Sequence, residues 1–252
     1  MQVVSEKAKS GRIINIKNLK ISDPIQKQPE QGVEGEGISA MDPPGAYAPP
    51  ATVALKPEDA HPFLRQFFDD HAVFLTELNN FENAILEIQK DGFTKELDFK
   101  LKQFFHFYDV ELMPHNQREE RILFPILHQR LIEAGEFGKG KVPTTAIDLM
   151  EDEHVKAMQL STVVLNFLGL AFRLPDERSR LIVLDSALEQ GKSLVELLRL
   201  HLFREDNVVF PLAHRYITQA EFDAMQARSV SELAIGKLGP ASAAMSKAPL
   251  SF

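Results

Sequence analysis

The chain has 252 residues, 44% of them hydrophobic, and a formal net charge of −8. That length suits one domain of about 160 residues with extensions, and the acidic balance excludes a general nucleic-acid binder, which needs clustered Lys and Arg to neutralise phosphates. With 0 cysteines, disulfides, thiolate-held metals and thiol nucleophiles are excluded together, so any metal falls to the 8 histidines and to carboxylates.

Residues 1–57 read as an irregular N-terminal arm or linker. Residues 13–16 (Ile-Ile-Asn-Ile) suit a short strand or an extended arm, and residues 23–57 are rich in Pro, Gly, Gln and Glu. Such a composition buries too little apolar surface to offset the entropy of ordering. Residues 1–11 lack the apolar stretch of a secretory signal, and no apolar run reaches the roughly 18 residues of a membrane span. The expectation is a cytoplasmic protein without membrane association.

From residue 58 the pattern is helical. Phe63, Phe67, Phe74, Leu78, Phe81 and Ile85 recur at helical spacings and predict a first helix over 58–89, ended by Asp91-Gly92. A second runs from an N-cap at Thr94 to about Ala134, before Gly135. A third starts at Thr144 or Thr145 and ends near Arg173. A fourth opens at Pro175, a good first-turn residue, and reaches about Arg215. Thr218 and Glu221 are spaced as the capping box of a short fifth helix within 217–252. Short connections imply antiparallel neighbours. The expected fold class is all-α: an up-down-up-down four-helix bundle over 58–216, with an irregular arm before it and a short C-terminal helix after it.

Two segments of the chain repeat. The pattern H-x-x-R-E-[ED]-x-x-x-F-P-x-x-H occurs at His115 to His128 and again at His201 to His214, each position offset by 86 residues. The preceding helices repeat more weakly, Asp69-Asp70-His71 against Asp152-Glu153-His154, offset by 83. On a helix, residues i and i+4 lie about 40° apart and about 6 Å along the axis, so His115 and Glu119 point at one spot, as do His201 and Glu205. Two hairpins packed face to face then gather His71, His115, Glu119, His154, His201 and Glu205. Imidazole with carboxylate suits iron, manganese or zinc, and two glutamates reaching from opposite helices are placed to bridge two ions with coordination positions left open. One such His/Glu pair is usually a surface hydrogen-bonded pair, and a duplication kept for packing also repeats. The match in register, each copy with the same Phe-Pro step, favours the metal.

The duplicated pattern resembles the hemerythrin-like, HHE cation-binding family over about 58–216. The resemblance implies two iron ions, with manganese or zinc less suited, bridged by carboxylate and by an oxo or hydroxo group, and held by His71, His115, Glu119, His154, His201 and Glu205. It also implies a small-molecule partner (dioxygen, peroxide or nitric oxide) in a redox or stress-protection role, as a di-iron oxidoreductase or scavenger. The alternatives are an oxygen or iron sensor and an iron storage or donation protein; a homodimer or protein partner is compatible with each. Oxygen-carrying members have a His-x-x-x-His pair on the third helix, where this chain has Met150 and Met158 around His154, which argues against reversible oxygen carriage.

Glu111 and Tyr108 precede His115 by four and seven residues on the expected ligand face and are the candidate catalytic residues. Glu111 reads equally as a seventh ligand, an acceptor for an imidazole N–H, a proton relay, or a glutamate at the wet end of the bundle. Tyr108 reads as a hydrogen-bond donor or oxidisable group, or as a core tyrosine. Glu151 and Glu153 are expected to be solvated. Pro114, Pro125 and Pro211 should kink their helices. His61 and His106 are poor ligands by position, and His128 and His214 suit helix C-terminal ends.

Overall fold

The computed structural model describes residues 53–138 and 142–234, so residues 1–52 of the arm and the tail beyond residue 234 lie outside the described residues. Among these the chain is helical, without a strand. A 3₁₀ turn, Pro57–Asp59, leads into helix α1 (Pro62–Asp91). Helix α2 spans 95–133, α3 is Ala146–Ala171, α4 spans 177–216 and α5 is Gln219–Ala234. No helix among the described residues is long and apolar enough to cross a membrane.

Each helix starts where a side chain satisfies an otherwise orphaned N–H. His61 caps α1, its Nδ1 accepting from the Phe63 N–H at 3.1 Å. Thr94 caps α2 through Oγ1, accepting from Leu97 at 3.2 Å, and Thr145 with Asp148 forms a reciprocal capping box on α3. The start of α4 differs from expectation. Pro175 lies before the helix rather than in its first turn, and Asp176 is the cap, its Oδ2 accepting from the Ser179 N–H at 2.8 Å. Thr218 and Glu221 form the expected box on α5, with Glu221 Oε2 accepting from the Thr218 N–H at 2.8 Å. Gly92 and Gly135, at φ 87° and 78°, turn the chain out of α1 and α2 in a conformation that a side chain would disfavour.

The apolar side chains form two clusters. One contains Phe74, Phe81, Ile85, Leu101, Phe104, Leu188 and Leu198. The other contains Phe63, Phe67, Leu123, Phe124, Leu127, Phe210 and Phe222. Phe81 and Phe104 stack with ring centroids 3.9 Å apart. Burying each such side chain stabilises the fold by roughly 1.5–3 kcal/mol relative to exposure. All four long helices supply both clusters, and each does so on either side of one polar position: His71 lies between Phe67 and Phe74, Glu119 between Leu112 and Ile122, His154 between Met150 and Ala157, and Glu205 between Leu202 and Val209. A polar layer is therefore held between two apolar ones.

Candidate metal centre

The six residues that the repeat singles out meet in that layer. Their donor atoms form two overlapping groups, His71–His115–Glu119–Glu205 and Glu119–His154–His201–Glu205, each with all atoms within 4.8 Å of one another. All six are buried, and Glu119 and Glu205 are 0% exposed. His71 and His115 face each other Nε2 to Nε2 at 3.2 Å, and His154 and His201 at 3.0 Å. Glu205 divides its oxygens, Oε2 lying 3.2 Å from His71 and Oε1 3.1 Å from His201. Glu119 uses one oxygen for both groups: Oε2 is 3.6 Å from His115 and 3.6 Å from His154. The two glutamates are thus common to both groups and the histidines are divided between them.

The other ring nitrogen of every histidine meets a carboxylate. Nδ1 of His71 donates to Asp206 at 2.7 Å, of His115 to Asp70 at 3.0 Å, of His154 to Glu120 at 2.8 Å and of His201 to Glu153 at 3.1 Å. An ionised carboxylate only accepts, so each contact puts the proton on Nδ1 and turns the Nε2 lone pair inward. Arg118 pairs with Asp70, and Arg204 with Glu153. Phe210 stacks on His71 at 5.4 Å and Phe124 on His154 at 5.8 Å. The His, Arg, Glu, following acid and Phe of the sequence repeat therefore each have a matching contact in both halves of the site.

The prolines are accommodated by wide turns. Helices α2 and α4 contain π-helical turns at Tyr108–Leu112, Glu119–Leu123 and Glu205–Val209. In each, the residue that follows donates to the carbonyl five residues back: Met113 to Tyr108, Phe124 to Glu119 and Phe210 to Glu205. Pro114, Pro125 and Pro211 come next in the chain. A residue with no N–H follows the switch in hydrogen-bond spacing, so the widened ladder orphans no donor there. Two of the three turns begin at the shared glutamates.

The family model of the hemerythrin HHE cation binding domain matches residues 63–213, which include all six residues and the whole of the first cluster. The chain belongs to the hemerythrin HHE cation-binding family. No curated protein matches it in sequence.

The donor set fits the cation that the HHE family name implies. Four Nε2 atoms and the carboxylates of Glu119 and Glu205 converge, and the four buried carboxylate oxygens face no donor other than a protonated Nε2. Buried carboxylates without donors are costly unless a cation lies among them. The charge balance of the side chains alone is uneven. Burial, with Glu205 beside it, pushes the Glu119 carboxyl well above its ordinary range. Burial pushes Glu205 up as well, but His201 and His71 hold it well below. Burial opposes protonation of His71, yet Asp206 and Glu205 carry it up to about 9. Burial takes its neighbour His115 down to about 4.

Other expected site residues fall elsewhere. Glu111 is exposed and outside both groups; Tyr108 and Leu112 set the inward face of α2 there, and Glu111, next to Leu112, is turned about 100° away. Tyr108 is buried in the first cluster, 3% exposed, and burial pushes its hydroxyl up to about 12 against the opposing effect of Ser161 beside it. Glu151 is exposed as expected, but Glu153 is not: it is 4% exposed and holds His201 and Arg204. His128 pairs with Thr145 Oγ1 at 2.9 Å and Asp148 at 3.5 Å, at the start of α3 rather than with a C-terminal dipole. His61 caps α1 and bonds Asp223 at 3.1 Å. His106 and His214 are exposed. Sequence reasoning missed Asp70, Glu120, Asp206, Arg118 and Arg204, although all lie inside the repeat. Their signal was the duplication itself of an acid before each lone His, an Arg before each shared Glu and an acid after it.

Proposed function

We propose that this protein is a cytoplasmic non-haem di-iron protein that binds or reacts with small oxidants or gases (dioxygen, peroxide or nitric oxide) in a redox or stress-protection role. One ion is held by His71 and His115, the other by His154 and His201, with Glu119 and Glu205 shared. The observation that carries this reading is the overlap of two four-residue donor groups through two buried glutamates. The alternation of the two apolar clusters along successive helices supports an up-down-up-down order, which places the four ligand-bearing segments at one level.

Ferrous ions with open positions supply ligation of, and electrons to, such small molecules. The chain contributes the rest. The outer carboxylates fix the four imidazole tautomers. The apolar clusters on either side exclude bulk water and strengthen every charge interaction in the layer. Tyr108, a buried hydroxyl beside Ser161, can serve as a hydrogen-bond donor, whereas exposed Glu111 is suited to solvent contact and not to ligation.

The test is elemental analysis with an optical spectrum on protein purified in air, wild type beside Glu119→Ala. Two irons per chain, lost in the variant, support the reading. Wild-type protein that takes up no iron, or a variant that binds as much, overturns it. Consumption of peroxide or nitric oxide by the loaded protein separates a reactive role from iron storage, in which metal passes to an acceptor without turnover.

A further inference from the structure

We propose that Arg118 and Arg204 are positioning residues, each dedicated to one of the two ion positions, so that the halves of the centre are separately braced. This rests on the two-ion reading above. Arg118 pairs with Asp70, which accepts from His115, a member of the first donor group only. Arg204 pairs with Glu153, which accepts from His201, a member of the second group only. Each chain of contacts closes within one hairpin, running from an arginine on the helix of the His/Glu pair to the acid before the lone His and back to the paired histidine.

An imidazole whose Nδ1 partner is free to rotate loses both its tautomer and its aim. Asp70, with a side chain 34% exposed, has solvent to turn towards, and Arg118 is what holds it. Glu153 is 4% exposed, and Arg204 supplies the positive charge that a buried carboxylate needs. The first brace has an added support. The Arg118 guanidinium carbon lies 5.6 Å from the Phe67 ring centroid, and Phe67 meets the His115 ring edge-on at 5.1 Å. At the equivalent position 83 residues on, the second half has Met150. Guanidinium is suited to both roles because it presents a planar fork of donors to a carboxylate and a flat cation to an aromatic ring.

The alternative is that the arginines act as diffuse positive charge. Arg118 directly precedes the shared Glu119, and through it would act on both ions alike. Stepwise titration with cobalt(II) alone, read by calorimetry and by visible absorption, separates the two. Arg118→Gln and Arg204→Gln should each weaken one of two binding steps by roughly 10–100-fold, the range for loss of an outer partner of a ligand histidine, and leave the other at the wild-type value. In a His115→Ala background, where the first position is already crippled, Arg118→Gln should add nothing; in a His201→Ala background it should retain its full effect. Arg204→Gln should show the reverse. Arg118→Lys should recover part of the loss, and helical content by circular dichroism should match wild type throughout. Equal weakening of both steps, or no weakening of either, overturns the proposal while leaving the two-ion centre intact. Wild-type protein without two cobalt-binding steps overturns the two-ion reading, and this inference with it.

Discussion

Asp206 Oδ1 lies 2.7 Å from His71 Nδ1 although 135 residues separate them in the chain. The counterpart is Glu120 with His154, 34 residues apart at 2.8 Å. In both cases the acid follows a shared glutamate, so the lone histidine of each hairpin is oriented by the other hairpin. The two halves of the centre are laced across the bundle by these contacts as well as by the shared carboxylates.

This lacing gives a first prediction. Asp206→Asn keeps the shape of the side chain but offers His71 a weaker acceptor that can also present a donor. Affinity for the metal should fall by roughly 10–100-fold, measured by competition with a chelator of known strength. The far-ultraviolet circular dichroism should not change, because the carboxylate is a surface-side partner and not part of either apolar cluster. An unchanged affinity would show that His71 is aimed by its packing against Phe210 alone.

On the two-ion proposal, removal of a residue common to both donor groups and of one belonging to a single group should differ in stoichiometry. Glu205→Ala removes an oxygen from both donor groups at once, and elemental analysis should find neither position filled. His154→Ala removes a donor from the second group alone, and about half of the wild-type metal should remain, at His71 and His115. Equal metal loss in the two variants would contradict the division of the histidines between two positions.

The helices and the six converging residues were legible in the sequence because both rest on local periodicity and on repetition within one chain. Phe63 to Ile85 needs only helical spacing to be placed, and His115 with Glu119 needs only one turn. The outer contacts were harder. Glu153 has the composition of a solvated residue, and nothing about its own neighbours in sequence says that Arg204 and His201, about 50 positions further on, come to rest against it. Glu111 stood open between ligation and solvent for the opposite reason: counting four residues back from His115 gives the right side of an ideal helix, but Tyr108 and Leu112 decide which side is buried. The π-turns were not foreseen as such, since Pro125 and Pro211 announce a break in the ladder without saying how the chain resolves it.

Phe124 and Phe210 occupy equivalent places, each 0% exposed and stacked on the lone histidine of the other hairpin. Truncation leaves a cavity beside the polar layer in a fully buried part of the second cluster. Phe124→Ala and Phe210→Ala should each destabilise the metal-free protein by about 3–5 kcal/mol in denaturant unfolding. Leu at either position retains most of the volume and should lose less. A loss below 1 kcal/mol for both alanine variants would mean that the second cluster repacks freely around the site.

The attachment of α5 is expected to weaken in acid. Arg130 hydrogen-bonds Glu221, the Thr218 backbone N–H donates to the same carboxylate, and together they hold its carboxyl down to about 2, against an ordinary value of 4.5. Above 4.5 the group is ionised in both folded and unfolded chains, and the stabilisation is complete. As pH falls from 4.5 towards 2 the unfolded chain takes up the proton first, so the stabilisation is lost over that window. Glu221→Gln removes the charge and the pairing with Arg130 and should reduce stability by about 1 kcal/mol at neutral pH, the scale of a helix cap. The gap between wild type and variant should narrow as pH falls from 4.5 towards 2, while contributions from other titrating groups cancel in the comparison. Thermal unfolding of the metal-free pair across that range measures it, and a gap that stays constant with pH would mean that Glu221 acts by shape and not by charge.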